Sequence, residues 1–104
     1  MAVDRMQVLE KLYQEGQGSD LVDLTLDKLF AYELQMSEQQ LDQLEKDLAG
    51  LEGQYGLSSA EFYQKFQRGE MGDAMDFVEW ASLFQMAERL RKRIDLLMLS
   101  PAQR

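Results

Sequence analysis

The sequence predicts an all-α protein in which a long helix and a C-terminal helix form an antiparallel hairpin joined by a short helix. Three features indicate this fold: a heptad repeat of apolar residues in mid-chain, an apolar stripe at helical spacing near the C-terminus, and a single proline, Pro101, among 104 residues. A chain with so few helix breakers can carry long helices. One hairpin has a thin core, so we expect it to be completed as a dimeric helical bundle.

The heptad repeat predicts the longest helix, over residues 20–55. Two series of residues recur every seven positions, one at positions 30, 37, 44 and 51 and the other at positions 34, 41, 48 and 55. They interleave with offsets of four and three, as the a and d positions of a coiled coil do. Seven of these eight positions are apolar. Six of the apolar residues form a predicted self-association seam: Phe30, Leu34, Leu41, Leu44, Leu48 and Leu51. A helix of this length would measure about 54 Å, so we expect its seam to need a partner surface.

The predicted domain organisation is a single hairpin with short extensions. Residues 1–19 form a short helix, beginning near Val3, and a glycine-containing linker. Residues 20–100 form the helical hairpin, and residues 101–104 are a tail. The hairpin helices are expected at about 20–55, 59–68 and 74–98.

Capping residues set the predicted helix ends. Ser19 or Asp20 can accept a hydrogen bond from an unpaired backbone N–H at the start of the long helix. Gly56 suits a left-handed C-terminal cap. The S-x-x-E spacing of residues 58–61 is that of a capping box. Asp73 is predicted to cap the last helix.

The charge distribution favours a basic partner. The net charge is −8, and residues 20–57 account for −7 of it with nine acids and two bases. An acidic surface repels phosphate backbones and suits a basic protein surface. Solvation of a helix face is the simpler explanation for most of these acids.

Several classes of site are excluded by composition. The chain has no cysteine and no histidine, which excludes disulfides, thiolate chemistry and zinc sites built on nitrogen or sulfur. No apolar run approaches the roughly 20 residues needed to span a bilayer. The N-terminus lacks the basic-then-apolar order of a signal peptide. We expect a cytoplasmic protein without a cofactor.

Two charged clusters could carry chemistry, and both have simpler explanations. Asp73, Asp76 and Glu79 lie three residues apart, so they could hold a hard cation or share a proton; an N-cap followed by first-turn acids explains them equally. Arg89, Arg91, Lys92 and Arg93 could contact nucleic acid, but bases at a helix C-terminus also favour the helix dipole. We therefore expect no enzyme, no metal site and no direct nucleic-acid binding.

The aromatic residues are the most informative group. Six rings fall within 23 residues: Phe62, Tyr63, Phe66, Phe77, Trp80 and Phe84. Most should enter the core, yet two short helix faces cannot easily bury six large rings. Any ring left outside would add to an apolar patch of the kind that marks binding surfaces.

Residues 55–66, Tyr-Gly-Leu-Ser-Ser-Ala-Glu-Phe-Tyr-Gln-Lys-Phe, continue through Gly-Glu-Met-Gly-Asp at 69–73 to Asp-Phe-Val-Glu-Trp-Ala at 76–81. This stretch resembles a family of short, mostly uncharacterised helical proteins of cyanobacteria, other bacteria and archaea. Its members look like antitoxin components, often encoded beside a small toxin. The resemblance implies neutralisation of a toxin, often a ribonuclease, by binding, and it carries over no catalytic residue.

The resulting hypothesis is a non-catalytic, antitoxin-like protein that occludes a basic face of its toxin. The predicted partner-binding residues are Phe62, Tyr63, Phe66, Asp76, Phe77, Glu79, Trp80 and Phe84. The alternative is a self-assembling coiled-coil adaptor without a toxin partner. A third hypothesis is a nucleic-acid-binding regulator that relies on residues 89–93.

Overall fold

The computed structural model describes residues 4–101, which form four α-helices. They are α1 (Arg5–Gln14), α2 (Asp20–Tyr55), α3 (Ser59–Gln67) and α4 (Met75–Leu97). The helices α2 and α4 pack against each other, and α3 packs against α4. Tyr55 at the end of α2 meets Asp76 at the start of α4, while Glu33 meets Arg93, so the two helices run antiparallel. The predicted all-α hairpin is confirmed.

The helix bounds agree closely with the predicted ones. The bounds of α2 coincide with the predicted range, α3 ends one residue earlier, and α4 is one residue shorter at each end. The predicted start of the first helix at Val3 and residues 102–104 of the predicted tail lie outside the described residues.

Most of the predicted caps are present. The Ser19 hydroxyl, rather than Asp20, accepts a hydrogen bond from Val22 N–H at 3.2 Å. Gly56 ends α2 in the left-handed conformation, with φ of 68°. The Ser58 hydroxyl accepts from Glu61 N–H at 3.2 Å, which is the serine half of the predicted capping box.

The predicted cap at Asp73 is wrong. The N-cap of α4 is Ala74, which makes no side-chain capping hydrogen bond. The helix begins one residue later than predicted, so the Asp73 carboxylate lies one position too early to accept from the first-turn N–H groups.

A glutamate supplies a further cap that the sequence pattern did not indicate. The Glu52 carboxylate, in the last turn of α2, accepts a hydrogen bond from Ser59 N–H at 2.7 Å. Ser59 is the first residue of α3, and its N–H has no acceptor within its own helix. The contact therefore joins the end of α2 to the start of α3.

The core lies where the seam of α2 meets α4 and α3. Leu44 and Leu48 of α2 are buried in one cluster with Phe62 of α3 and with Trp80, Ala81 and Ala87 of α4. Leu34 is also buried, whereas Phe30, Leu41 and Leu51 are half-buried. A single chain therefore covers much of the seam that was predicted to drive self-association. The heptad repeat correctly identified the buried face of α2, but its partner is the chain's own C-terminal helix.

Ion pairs connect the exposed edges of the hairpin. Arg91 of α4 lies 3.5 Å from Glu45 and also pairs with Glu88, and Arg93 pairs with Glu33. Exposed pairs of this kind contribute about 0–1 kcal/mol each, so they help to fix the register more than the stability. Among the described residues, no helix is both long and apolar enough to cross a membrane.

Gly50 within α2 and Gly56 at its C-cap give a test of the helix geometry. A Cβ built on Gly50 meets no atom within 4 Å, so Gly50→Ala should raise the free energy of unfolding by about 0.5–1 kcal/mol, because alanine loses less backbone entropy. Gly56 has φ of +68°, so Gly56→Ala should lower the free energy of unfolding by about 1 kcal/mol. Urea unfolding of both variants measures the difference. A destabilised Gly50→Ala variant would contradict the exposed position of that residue.

Candidate protein-binding surfaces

The aromatic elbow, which we define as α3 with the adjoining ends of α2 and α4, is closed around two rings. Phe62 and Trp80 are both 0% exposed. Their rings stack in parallel, with centroids 3.9 Å apart and an interplanar angle of 5°. They were predicted to contact a partner, and complete burial corrects that prediction: both rings hold the elbow together from within.

The indole of Trp80 is also satisfied inside the elbow. Its Nε1–H donates to the Ser59 hydroxyl at 2.9 Å, and the contact is buried. Ser59 is thus bonded through its backbone to Glu52 of α2 and through its side chain to Trp80 of α4. One residue of α3 links both long helices.

The other predicted rings are half-buried. The Tyr63 and Phe84 rings stack with centroids 4.8 Å apart, and Gln85 donates to the Tyr63 hydroxyl at 2.5 Å. Phe77 lies 5.1 Å from the Tyr55 ring, and Phe66 packs 5.6 Å from Phe62. These four residues, Tyr63, Phe66, Phe77 and Phe84, cover the elbow and offer a partner only part of their surface.

The acids of the elbow are exposed, and one of them holds a tyrosine. The Tyr55 hydroxyl donates to the Asp76 carboxylate at 2.6 Å, which raises the pKa of Tyr55, first through this hydrogen bond and also through burial and the carboxylate charge. Glu79 and Asp73 are exposed. Across residues 4–101, no three acidic side chains come together in a way that could hold a metal ion.

Large apolar side chains are exposed at both ends of the hairpin. At the elbow they are Met75, 78% exposed, and Val78. At the far end, on α2, they include Leu21, which is 73% exposed, with Leu24 and Tyr32. The sequence reasoning missed all five. For the three residues of α2 the sequence did contain a signal. They are apolar but lie outside both heptad series, so the repeat itself places them away from the seam.

The N-terminal part of α2 extends past the end of α4. The Glu33–Arg93 pair fixes the level of the two helices. From that level α2 continues for 13 residues to Asp20, whereas α4 continues for four residues to Leu97. At about 1.5 Å per residue, the difference is about 14 Å of helix. We call residues 20–32 the projecting segment of α2, of which residues 20–28 extend past the end of α4.

The projecting segment is acidic as well as apolar. It carries Asp20, Asp23 and Asp27 against a single base, Lys28. Tyr13 of α1 donates to the Asp23 carboxylate at 2.6 Å, and this hydrogen bond, with lesser effects of burial and of the charges of Asp23 and Asp27, raises the pKa of Tyr13. Outward-facing leucines on an acidic helix form a surface that a basic, apolar partner could cover.

The basic cluster of α4 is partly neutralised within the chain. Arg91 and Arg93 pair with glutamates of the hairpin. Arg89 and Lys92 are exposed beside a shallow groove that Met86 and Leu90 also line. This arrangement presents little uninterrupted positive charge to a phosphate backbone.

Comparison of the chain with models of protein families, with curated proteins and with solved structures found no match.

The buried hydrogen bond of the elbow gives a stability prediction. Ser59→Ala should lower the free energy of unfolding by about 1–3 kcal/mol, because it leaves the buried Trp80 N–H without an acceptor. The matched control is Ser82→Ala on the exposed face of α4, which should change it by less than about 0.5 kcal/mol. Chemical denaturation monitored by tryptophan fluorescence measures both. Equal effects of the two substitutions would contradict the role of the indole hydrogen bond.

The raised pKa of Tyr55 gives a pH prediction. The hydrogen bond to Asp76 forms only while the phenol keeps its proton, so its contribution to stability is present at neutral pH and is lost as the pH rises through the raised pKa of Tyr55, above about 10. Asp76→Asn should lower the pKa of Tyr55, because it removes the carboxylate that accepts the phenol hydrogen bond and, with it, the negative charge beside the phenol. Ultraviolet absorbance of the phenolate during alkaline titration measures the shift. Asp23→Asn, which alters Tyr13 instead, is the control, and an unchanged titration in Asp76→Asn would contradict the assignment.

Proposed function

We propose that this protein is a non-catalytic, antitoxin-like binding module that neutralises a partner toxin by covering a basic face of it. The observation that carries the proposal is the projecting segment of α2, where exposed leucines lie on an acidic helix that the rest of the hairpin leaves uncovered. The resemblance of residues 55–81 to antitoxin components supports the same class of function.

The projecting segment supplies the apolar contact. Leu21, Leu24 and Tyr32 are 73%, 53% and 59% exposed. Their spacing of three and eight residues places them on one side of α2, the side that faces away from the core. Tyrosine is enriched among the residues that contribute most to binding at the centre of an interface, and fully burying a leucine side chain contributes about 1.5–3 kcal/mol. An apolar groove on the toxin would bind this row of side chains, in the way that apolar grooves of other proteins bind amphipathic helices.

The acids supply orientation. The three aspartates of the projecting segment attract a basic surface over a Debye length of about 10 Å at moderate salt. Complementary charge raises the association rate and selects basic partners, while the apolar row sets the dissociation rate. A ribonuclease binds RNA through a basic face, so a protein that covers that face blocks the substrate without any chemistry of its own.

The elbow supplies rigidity. The stacked Phe62 and Trp80 rings hold α3 against α4, and α2 packs along α4, so α2 is presented as a folded helix rather than as a flexible peptide. Binding then costs less conformational entropy, because α2 is already ordered before the partner binds. Met75 and Val78, both exposed near the start of α4, give a second apolar contact at the opposite end of the molecule.

The test is co-expression with the product of the adjacent gene. Wild-type protein should co-purify with that product and abolish its toxicity in cells and its ribonuclease activity in vitro. Leu21→Glu with Leu24→Glu should weaken binding tenfold or more, because charge replaces the apolar contact. Isothermal titration calorimetry measures the affinity directly.

The matched control changes an apolar residue of similar exposure elsewhere. Met6→Glu in α1, at a side chain 67% exposed, should leave both affinity and neutralisation intact. Circular dichroism should show the same helicity in all variants. Full toxin activity in the presence of saturating wild-type protein would overturn the proposed function.

A further inference from the structure

The helix α1 lies across the start of α2 and is bonded to it by one side chain. The Tyr13 hydroxyl donates to the Asp23 carboxylate at 2.6 Å. The pKa of Tyr13 is raised first by this bond, then by burial and by the charges of Asp23 and of Asp27, one turn further along α2. Tyr13 therefore lies over the side of α2 that carries both aspartates. Leu9 and Leu12, the half-buried residues of α1, share a helix face with Tyr13, so this face of α1 is turned towards α2.

The two aspartates continue the heptad seam of α2. Asp23 lies seven residues before Phe30 and Asp27 lies seven residues before Leu34, so each extends one of the two series. Because α4 ends at Leu97, it packs on the apolar part of the seam and stops short of the aspartates. At their level the helix on the seam side of α2 is α1.

These two seam positions carry negative charge that the chain does not neutralise. Within residues 4–101, neither Asp23 nor Asp27 forms an ion pair. Lys28 directly follows Asp27, which places it about 100° round the helix. The donor that α1 offers is a neutral phenol. A lysine or arginine in its place would add the attraction between opposite charges to the hydrogen bond.

The contact between α1 and α2 is small. α1 has ten residues, and none of them is buried. Helices shorter than about 12–15 residues are marginal on their own, so α1 depends on this contact and opens at a low cost in free energy.

The ring of Tyr13 makes the second part of the contact. A Cβ built on Gly18, in the linker between α1 and α2, would lie 2.9 Å from Cε1 of that ring. The ring therefore packs on the linker only because residue 18 has no side chain. The hydroxyl on Asp23 and the ring on Gly18 together fix the position of α1, and we call this pair of contacts the Tyr13 latch.

We infer that α1 is a displaceable strap, closed by the Tyr13 latch, which occupies the aspartate end of the seam until a basic amphipathic helix of the partner replaces it. The partner helix would pack its apolar face on Leu26, which is half-buried beside Asp23, and would bring a lysine or arginine to the place of the phenol. An amphipathic helix seated in an apolar groove is a common mode of recognition, and the two aspartates select a basic one.

This inference rests on the proposed function and adds regulation to it. The exposed row of Leu21, Leu24 and Tyr32 lies on the outer side of α2 and is available while the strap is closed. The seam side becomes available only when α1 leaves. The closed strap therefore lowers the apparent affinity of the partner by the fraction of molecules that are open.

The latch is tested on the protein alone by limited proteolysis. Tyr13→Phe keeps the ring and removes the donor, so a glutamate-specific endoprotease should cut after Glu10, inside α1, about threefold faster or more. Gly18→Ala, which moves the ring, should act in the same direction. The matched control is Tyr55→Phe, which removes a tyrosine–aspartate hydrogen bond of the same 2.6 Å length at the elbow and should leave this cleavage rate unchanged. Circular dichroism should report similar helicity in all variants.

The displacement is tested with a defined probe. The probe is a synthetic amphipathic helix of lysine, leucine and alanine, about 18 residues long, which the protease does not cut. It should accelerate cleavage after Glu10 in the wild type, and it should bind Tyr13→Phe about threefold more tightly or better. Fluorescence anisotropy of the labelled probe measures the affinity.

General attraction to an acidic protein is distinguished by two matched charge removals. Asp27→Asn should weaken binding of the probe about fivefold or more, because the residue lies at the seam under α1. Asp47→Asn removes the same charge from an exposed position in the middle of α2 and should weaken binding less than about twofold, because salt screens distant charges.

The outcomes separate the strap from the proposed function. Wild-type cleavage rates in Tyr13→Phe and Gly18→Ala reject the latch. A probe that leaves cleavage after Glu10 unchanged, or that is weakened equally by the two aspartate substitutions, rejects the displacement. If the product of the adjacent gene binds while α1 stays protected, the proposed function stands and the strap is rejected. If the probe releases α1 but that gene product is not bound, the strap stands and the proposed function fails.

Discussion

The structure depends on the stacking of Phe62 on Trp80 inside the elbow. Two helices of very different length can pack antiparallel in many registers, because a leucine seam is similar at each turn. The two enclosed rings remove that freedom: they fit only where α3 lies between Tyr55 and the start of α4. Large aromatic side chains bury more area than any other residues, so the closed end of the hairpin is also its most strongly packed part.

The extension of α2 past the end of α4 follows from the same constraint. With the closed end fixed, the shorter α4 reaches only part of the way along α2, and in the remaining turns Asp23 is bonded to Tyr13 of α1. Apolar residues there stay exposed, which a solitary globular domain would avoid. The surface proposed for toxin binding lies on the side of α2 that faces away from the core, so neither α3 nor α4 covers it.

Sequence reasoning predicted the fold class and the bounds of α2 because both rest on local patterns. The heptad leucines, Ser19 and Gly56 each act within their own helix, so the sequence shows them directly. The sequence could not show which helix packs on the seam. A heptad repeat identifies a buried face but does not indicate whether the helix that covers it comes from the same chain. Asp73 failed as a cap because a shift of one residue at a glycine-rich turn moves the carboxylate out of reach. Phe62 and Trp80 were assigned to a surface because ring type alone does not reveal burial.

The first helix differs in one respect from the other three. It has no buried residue, and Tyr13 ties it to Asp23 by a single exposed hydrogen bond, whereas Ser59 bonds α2, α3 and α4 into one unit. Local opening free energies follow burial and contact. Amide hydrogens of α1 should therefore exchange with solvent through fraying of that helix alone, while those at the closed end exchange only when the whole hairpin comes apart.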